Sequence, residues 1–198
     1  DDGFRALFSR ELLFVDGRKD PDGRAADAAL RGYISFLRTC VPENLPYGSA
    51  QRVAVVAKSI STGFGGSVHQ SHNLEARWQS RFDELRLEFP QDLPIGLLLA
   101  KRGAAAPSSP DAGRSKLDSR GAGLQRHRAV LFKYVCDALS ICDSALLWDA
   151  RRDTAISVAR VEGRPVVVDL MNEPGALQDA SEVHRVVMQL EESRAHSK

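Results

Sequence analysis

SALLWDARRDTAISVARVEGRPVVVDL, residues 144–170, is the stretch that decides the fold. Within it, 144–148, 154–161 and 166–170 are short runs rich in strand formers, broken by the charged 149–153 and by Glu162-Gly163-Arg164, the punctuation of hairpins. Strands joined by turns this short pair antiparallel. Outward on the N-terminal side, Leu124, His127, Leu131, Tyr134, Val135, Ala138 and Leu139 recur three or four apart, the spacing of one buried helix face. Outward on the C-terminal side, a closing helix is predicted from about Asp179, with Glu182 in the capping-box position and Val183, Val186, Val187 and Leu190 inward.

Further from that stretch, the pattern is helical. Ala26, Leu30, Tyr33, Ile34 and Leu37 predict a first helix within 22–40, ended by Pro42 and Pro46. Val53, Val56, Ala57, Ile60 and Phe64 predict a second, capped by Ser49 and stopped by Gly63, Gly65 and Gly66. Leu74, Trp78, Phe82 and Leu85 predict a third, capped by Asn73 and closed by Pro90. Three helices are thus expected before any strand. Residues 101–122 (KRGAAAPSSPDAGRSKLDSRGA) hold little that could fill a core and predict a flexible insertion. Helices first and a sheet later define an α+β class, with a helical N-terminal half packed on a small antiparallel sheet in a single domain over 1–198.

Composition narrows the function classes. The chain has 198 residues, 43% hydrophobic and 27% charged, an ordinary globular balance. Its 27 Lys and Arg against 26 Asp and Glu leave +1, so bulk charge argues for neither nucleic acid nor an anionic membrane as partner. The longest nearly apolar stretch, 93–100, falls far short of the roughly 20 residues that span a bilayer. Three widely spaced cysteines, Cys40, Cys136 and Cys142, make no disulfide framework and point to a reducing, intracellular compartment. Opening at Asp1 without methionine or a basic-then-apolar leader, the chain is expected to be a domain of a longer protein.

Candidate chemistry is sparse. Gly63-Phe64-Gly65-Gly66 ends a helix instead of opening one after a strand, and no Lys-Ser/Thr follows, so it reads as a helix stop rather than a phosphate cradle. His69 and His72 do not share a helical face and have no Cys or carboxylate cluster nearby, so no metal is expected, and no cofactor. The segment GLQRHRAVLFK, 123–133, is the most distinctive: polar and basic residues at a helix start, where amide donors and the dipole stabilise an anion. A cysteine there would be activated, and there is none. His127, on the inward face, reads first as a hydrogen-bonded core histidine. Arg126 and Arg128 read either as solvated flank charges or as ligand contacts.

Three blocks in order, DLPIGLL (92–98), GLQRHRAVLFKYVCD (123–137) and VVVDLMNEPGAL (166–177), carry a family resemblance. The chain resembles the peptidase-like domain shared by the plant enhanced-disease-resistance and constitutive-triple-response Raf-like kinases and by armadillo repeat-containing proteins. The LPIG, HRA-LFK and VDLM-PG elements are most similar to the armadillo-repeat branch, and the likeness covers 53–177. That family is similar to transglutaminase-like and papain-like cysteine enzymes, in which cysteine sits at a helix N-terminus and histidine and aspartate follow on adjacent strands.

What the resemblance implies for the site is a degenerate triad. Gln125 matches the nucleophile position, and an amide cannot become a thiolate. Asp169 matches the aspartate, with a plain alternative as a turn or cap residue after a strand. The histidine should fall near Thr154 to Ile156, and the chain has none between Arg128 and Val183. Cys136 and Cys142 lie too far from the helix start to substitute and are expected to be buried small apolar residues. The resemblance therefore implies a non-catalytic transglutaminase-like domain acting as a protein-interaction or scaffolding module. The armadillo-repeat branch implies a cilium, flagellum or axoneme, and otherwise the cytoplasm is expected. The alternatives are a cysteine hydrolase or acyl-transfer enzyme with a non-standard nucleophile, or a ligand pocket kept in the old cleft. Lys116, Arg120, Arg126 and Arg128 belong to a locally cationic run, 101–128, which predicts an acidic protein partner.

Overall fold

A computed structural model describes residues 4–7, 12–16, 27–70, 74–88, 93–99, 121–149 and 154–180. Helix α1 (Ala28–Cys40) starts where Asp27 accepts the Leu30 N–H at 2.9 Å, and it buries Leu30, Tyr33 and Leu37 along one stripe. Helix α2 (Ala50–Gly63) is capped by Ser49, which accepts the Arg52 N–H, and buries Val53, Val56, Ala57 and Ile60. It ends as the glycines require, with Gly65 and Gly66 at φ +97° and +93°. Helix α3 (Leu74–Glu88) turns Leu74, Trp78, Phe82 and Leu85 inward. Its expected cap Asn73 and stop Pro90 lie outside the described residues.

Helix α4 (Gln125–Ala138) is the centre of the molecule, packed against α2 on one side and the larger sheet on the other. That sheet is an antiparallel meander of β4 (Ser144–Asp149), β5 (Thr154–Val161), β6 (Arg164–Val168) and β7 (Leu177–Asp179). β5 buries Ala155, Ser157, Ala159 and Val161, alternate residues of one face, and three of them are small enough to let α4 approach closely. The β5–β6 turn has Glu162 and Gly163 at φ +51° and +82°, the left-handed pair that a two-residue hairpin needs. The α+β class holds in these terms.

Two expectations are corrected, and one is refined. Strands precede the helices: β1 (Phe4–Leu7) pairs antiparallel with β2 (Leu12–Val15), which pairs parallel with β3 (Leu93–Pro94). Strands of four, four and two residues are too short for an alternation to stand out. Leu177–Asp179 adds a strand against β6 that was not expected, and Ala180, the residue after it, is helical, where the closing helix is expected to begin; the rest of that helix lies outside the described residues. Ala122, expected to end a flexible insertion, is instead buried, and its N–H donates to the Leu98 carbonyl at 2.8 Å. Residues 101–120 lie outside the described residues.

The candidate site at the start of helix α4

The backbone around the start of α4 is shaped by glycine and by two side chains that turn inward. A Cβ on Gly123 would stand 2.3 Å from the Phe64 ring, so only glycine lets this loop pass over the end of α2. Leu124, extended at ψ 179°, is the N-cap, and its N–H donates to His127 Nδ1 at 2.8 Å. An Nδ1 that accepts carries no proton, so His127 closes its own helix end, as the third residue of a capping box does. It is fully buried, with Trp78 and Phe64 ring centroids 5.8 and 6.5 Å away.

Arg128 is the largest polar surprise. It is 0% exposed. Its Nε donates to Gly123 O (3.0 Å), Nη1 to Ser61 Oγ (2.9 Å) and Leu170 O (2.8 Å), and Nη2 to Gly66 O (2.8 Å) and Phe64 O (3.4 Å). All of these acceptors are uncharged, so the guanidinium serves as a five-way hydrogen-bond tie rather than half of an ion pair. Burial, helped by the charge of Arg77 and opposed by Asp169, pushes its pKa down to about 10, which still leaves it charged at neutral pH. Arg126 is 7% exposed, with its guanidinium carbon 4.7 Å from the Trp78 ring centroid, a cation–π contact.

These placements correct the reading of Arg126 and Arg128 as solvated or partner-facing cations: both lie in the interior, where a docking protein could not reach them without opening the fold. A signal for this was present, because Leu124, Arg128, Leu131 and Val135 follow the same inward spacing as the apolar residues. Lys116 and Arg120 lie outside the described residues.

Asp169 is spent on its own turn. Its Oδ1 accepts from the Met171 and Asn172 N–H at 2.7 and 2.9 Å, and Oδ2 from the Glu173 N–H at 3.1 Å. Burial acts to raise its pKa, but those backbone donors outweigh it and hold the carboxyl below the ordinary range. Gln125 is the first residue of α4, and its Oε1 is buried with no hydrogen-bond partner. Cys136 and Cys142 are buried as expected, and Cys136 stands nine residues along the helix from His127, roughly 13 Å at the rise of an α-helix. His69 sits exposed in a 3-10 turn, Val68–Gln70, and His72 lies outside the described residues. Among the described residues no three His, Cys, Asp or Glu side chains gather as a metal would need, and no helix is long and apolar enough to cross a membrane.

The fold does bring the sequence blocks together. Leu98 meets Ala122, so DLPIGLL runs directly into the start of GLQRHR, and Arg128 reaches both the 63–66 glycine turn and Leu170 in VDLM. Gly96 of LPIG donates its N–H to Asp27 Oδ2 at 2.7 Å, and a Cβ there would collide with that carboxylate. Fold and site together define a mixed α+β domain whose central helix begins in a buried, hydrogen-bonded polar knot. Comparison of the chain with family models, with curated proteins and with solved structures finds no match in any of the three.

Proposed function

We propose that this chain is a non-catalytic transglutaminase-like, peptidase-like domain that serves as a protein-interaction or scaffolding module, in an armadillo-repeat protein of the cilium or flagellum. The observation that carries the reading is how the site spends its polar groups. His127 closes the helix end, Arg128 ties three segments, and Asp169 is filled by backbone donors of its own turn. Each is engaged in holding the fold. With Arg126 and Arg128 inside, the cationic run expected to meet an acidic partner reduces, as sequence, to Lys101, Arg102, Arg114, Lys116 and Arg120 against Asp111 and Asp118.

The test is Gln125→Cys. A thiol at the first position of α4 faces the positive end of the helix dipole and should be labelled by iodoacetamide faster than Cys136 or Cys142. That variant and the wild type should both leave ester, amide and peptide substrates intact, since acyl transfer also needs a base to shuttle the proton. Hydrolysis by the wild type that Cys136→Ser or Cys142→Ser abolishes would replace this reading with the cysteine-hydrolase alternative.

A further inference from the structure

The sulfurs of Cys136 and Cys142 lie 3.8 Å apart, 1% and 2% exposed respectively. The contact is built by the way α4 ends. Ser140 takes φ +49°, the Ile141 N–H donates to Cys136 O at 2.9 Å, and the Ser140 N–H to Asp137 O at 3.4 Å. These are the paired bonds of a Schellman stop, which turns the chain back on the last helical turn and lays residue 142 over residue 136. The same junction is fastened from outside, where the Gly48 N–H donates to Ile141 O and the Tyr47 hydroxyl to Asp143 Oδ1 at 2.7 Å.

We propose that Cys136 and Cys142 are a disulfide-forming pair, a modification site that locks the end of α4 to the start of β4 when the protein meets a peroxide. A bond requires the sulfurs to close from 3.8 Å to about 2 Å, a movement within reach of side-chain rotation at a turn. The two thiols are chemically unequal, as such a pair requires. Burial holds the Cys136 thiol high, while the contact between the two sulfurs, with Arg52 nearby, favours the Cys142 thiolate despite its burial. The Cys142 thiolate attacks one peroxide oxygen, the O–O bond breaks, and a sulfenic acid and hydroxide form. Cys136 sulfur then attacks the Cys142 sulfur, its proton leaves with the departing hydroxyl as water, and the S–S bond is made. Two thiols give up two electrons and one peroxide becomes two waters. A dithiol reductant reverses the bond by exchange.

Trypsin makes the pair easy to read, because no Lys or Arg falls between Lys133 and Arg151 and both cysteines sit in one peptide, 134–151. The folded full chain is exposed to hydrogen peroxide, denatured, alkylated and digested. The expected peptide 134–151 is two hydrogen masses lighter than the reduced one, takes no alkyl group, and regains both sites after dithiothreitol; Cys40→Ser should leave this unchanged. Cleavage before Asp137 should give two fragments joined until reduced. Two outcomes overturn the proposal. In one, 134–151 takes two alkyl groups, or carries added oxygen on one sulfur, at peroxide levels that oxidise Cys40. In the other, the link forms no faster in the folded chain than in urea.

Discussion

At the scale of single residues, Arg128 and Asp169 show how buried polar groups can be spent on holding the fold. Removing the Arg128 guanidinium strands carbonyls of Gly123, Gly66 and Leu170 in the interior, each a loss of about 1–3 kcal/mol. Arg128→Met should therefore lower unfolding stability by at least about 3 kcal/mol in urea titrations. Arg128→Lys should recover little of it, because one ammonium cannot span acceptors on three segments. An unchanged urea midpoint for Arg128→Met would remove the residue from its role as a tie. Asp169 gives the pH counterpart. Its folded-state pKa lies below the unfolded value of about 3.9, so the stability it contributes is present above that value and drains away as pH falls through the folded one. Asp27 has the opposite sign: burial raises it over the opposing backbone N–H groups of Leu30 and Gly96, so its contribution falls as pH climbs above about 4. Asp169→Asn should flatten the acid-side loss of melting temperature in a pH series from neutral to acid. An acid slope identical to wild type would mean that the carboxylate is not engaged in solution.

At the scale of elements, what could be read in the sequence was what burial repeats. α1, α2 and α4 each lay an apolar stripe against the core over three or more turns, and the hairpin at Glu162-Gly163 is announced by its turn residues. β1, β2 and β3 escaped because β3 is two residues paired across some eighty positions, and nothing local encodes such a partner. The site was half legible for the same reason. The glycines 63–66 announce a helix stop, but not that the Phe64 and Gly66 carbonyls hold a guanidinium from residue 128. Asp169 as a turn residue could be read locally, whereas the burial of Arg128 was carried only by its helical phase, against a formal charge that argues for the surface, and that of Arg126 by no local signal. Gly123 belongs to this scale, since it sets how closely the loop before α4 crosses α2. Gly123→Ala puts a methyl into the Phe64 ring and should destabilise by about 1–3 kcal/mol, the usual cost of overpacking. Phe64→Leu in the Gly123→Ala background should return part of that loss. A Gly123→Ala chain as stable as wild type would show that the loop moves aside freely.

At the scale of the whole molecule, the question is whether helices and sheet unfold as one unit, which a single domain requires. The connections argue that they do. Arg128 joins the end of α2, the start of α4 and the turn after β6. Gly48, just before α2, bonds both Ile141 at the entrance to β4 and the Glu162 N–H in the β5–β6 hairpin. Breaking either half therefore leaves buried polar groups unpaired in the other, and that penalty makes partial unfolding costly. The two tryptophans offer one probe in each half: Trp78 on α3, 1% exposed and stacked on Phe82, and Trp148 on β4, 43% exposed. Trp148→Phe leaves fluorescence to the helical half, and Trp78→Phe leaves it to the sheet. Each variant's urea transition by fluorescence is compared with its own far-UV dichroism, so any stability lost to the substitution moves both signals together. Coincident midpoints in both variants are the expected result. If Trp148 fluorescence changes at lower urea than the dichroism while Trp78 does not, the meander is a separate cooperative unit. The buried knot at the start of α4 would then be a seam between two domains rather than the core of one.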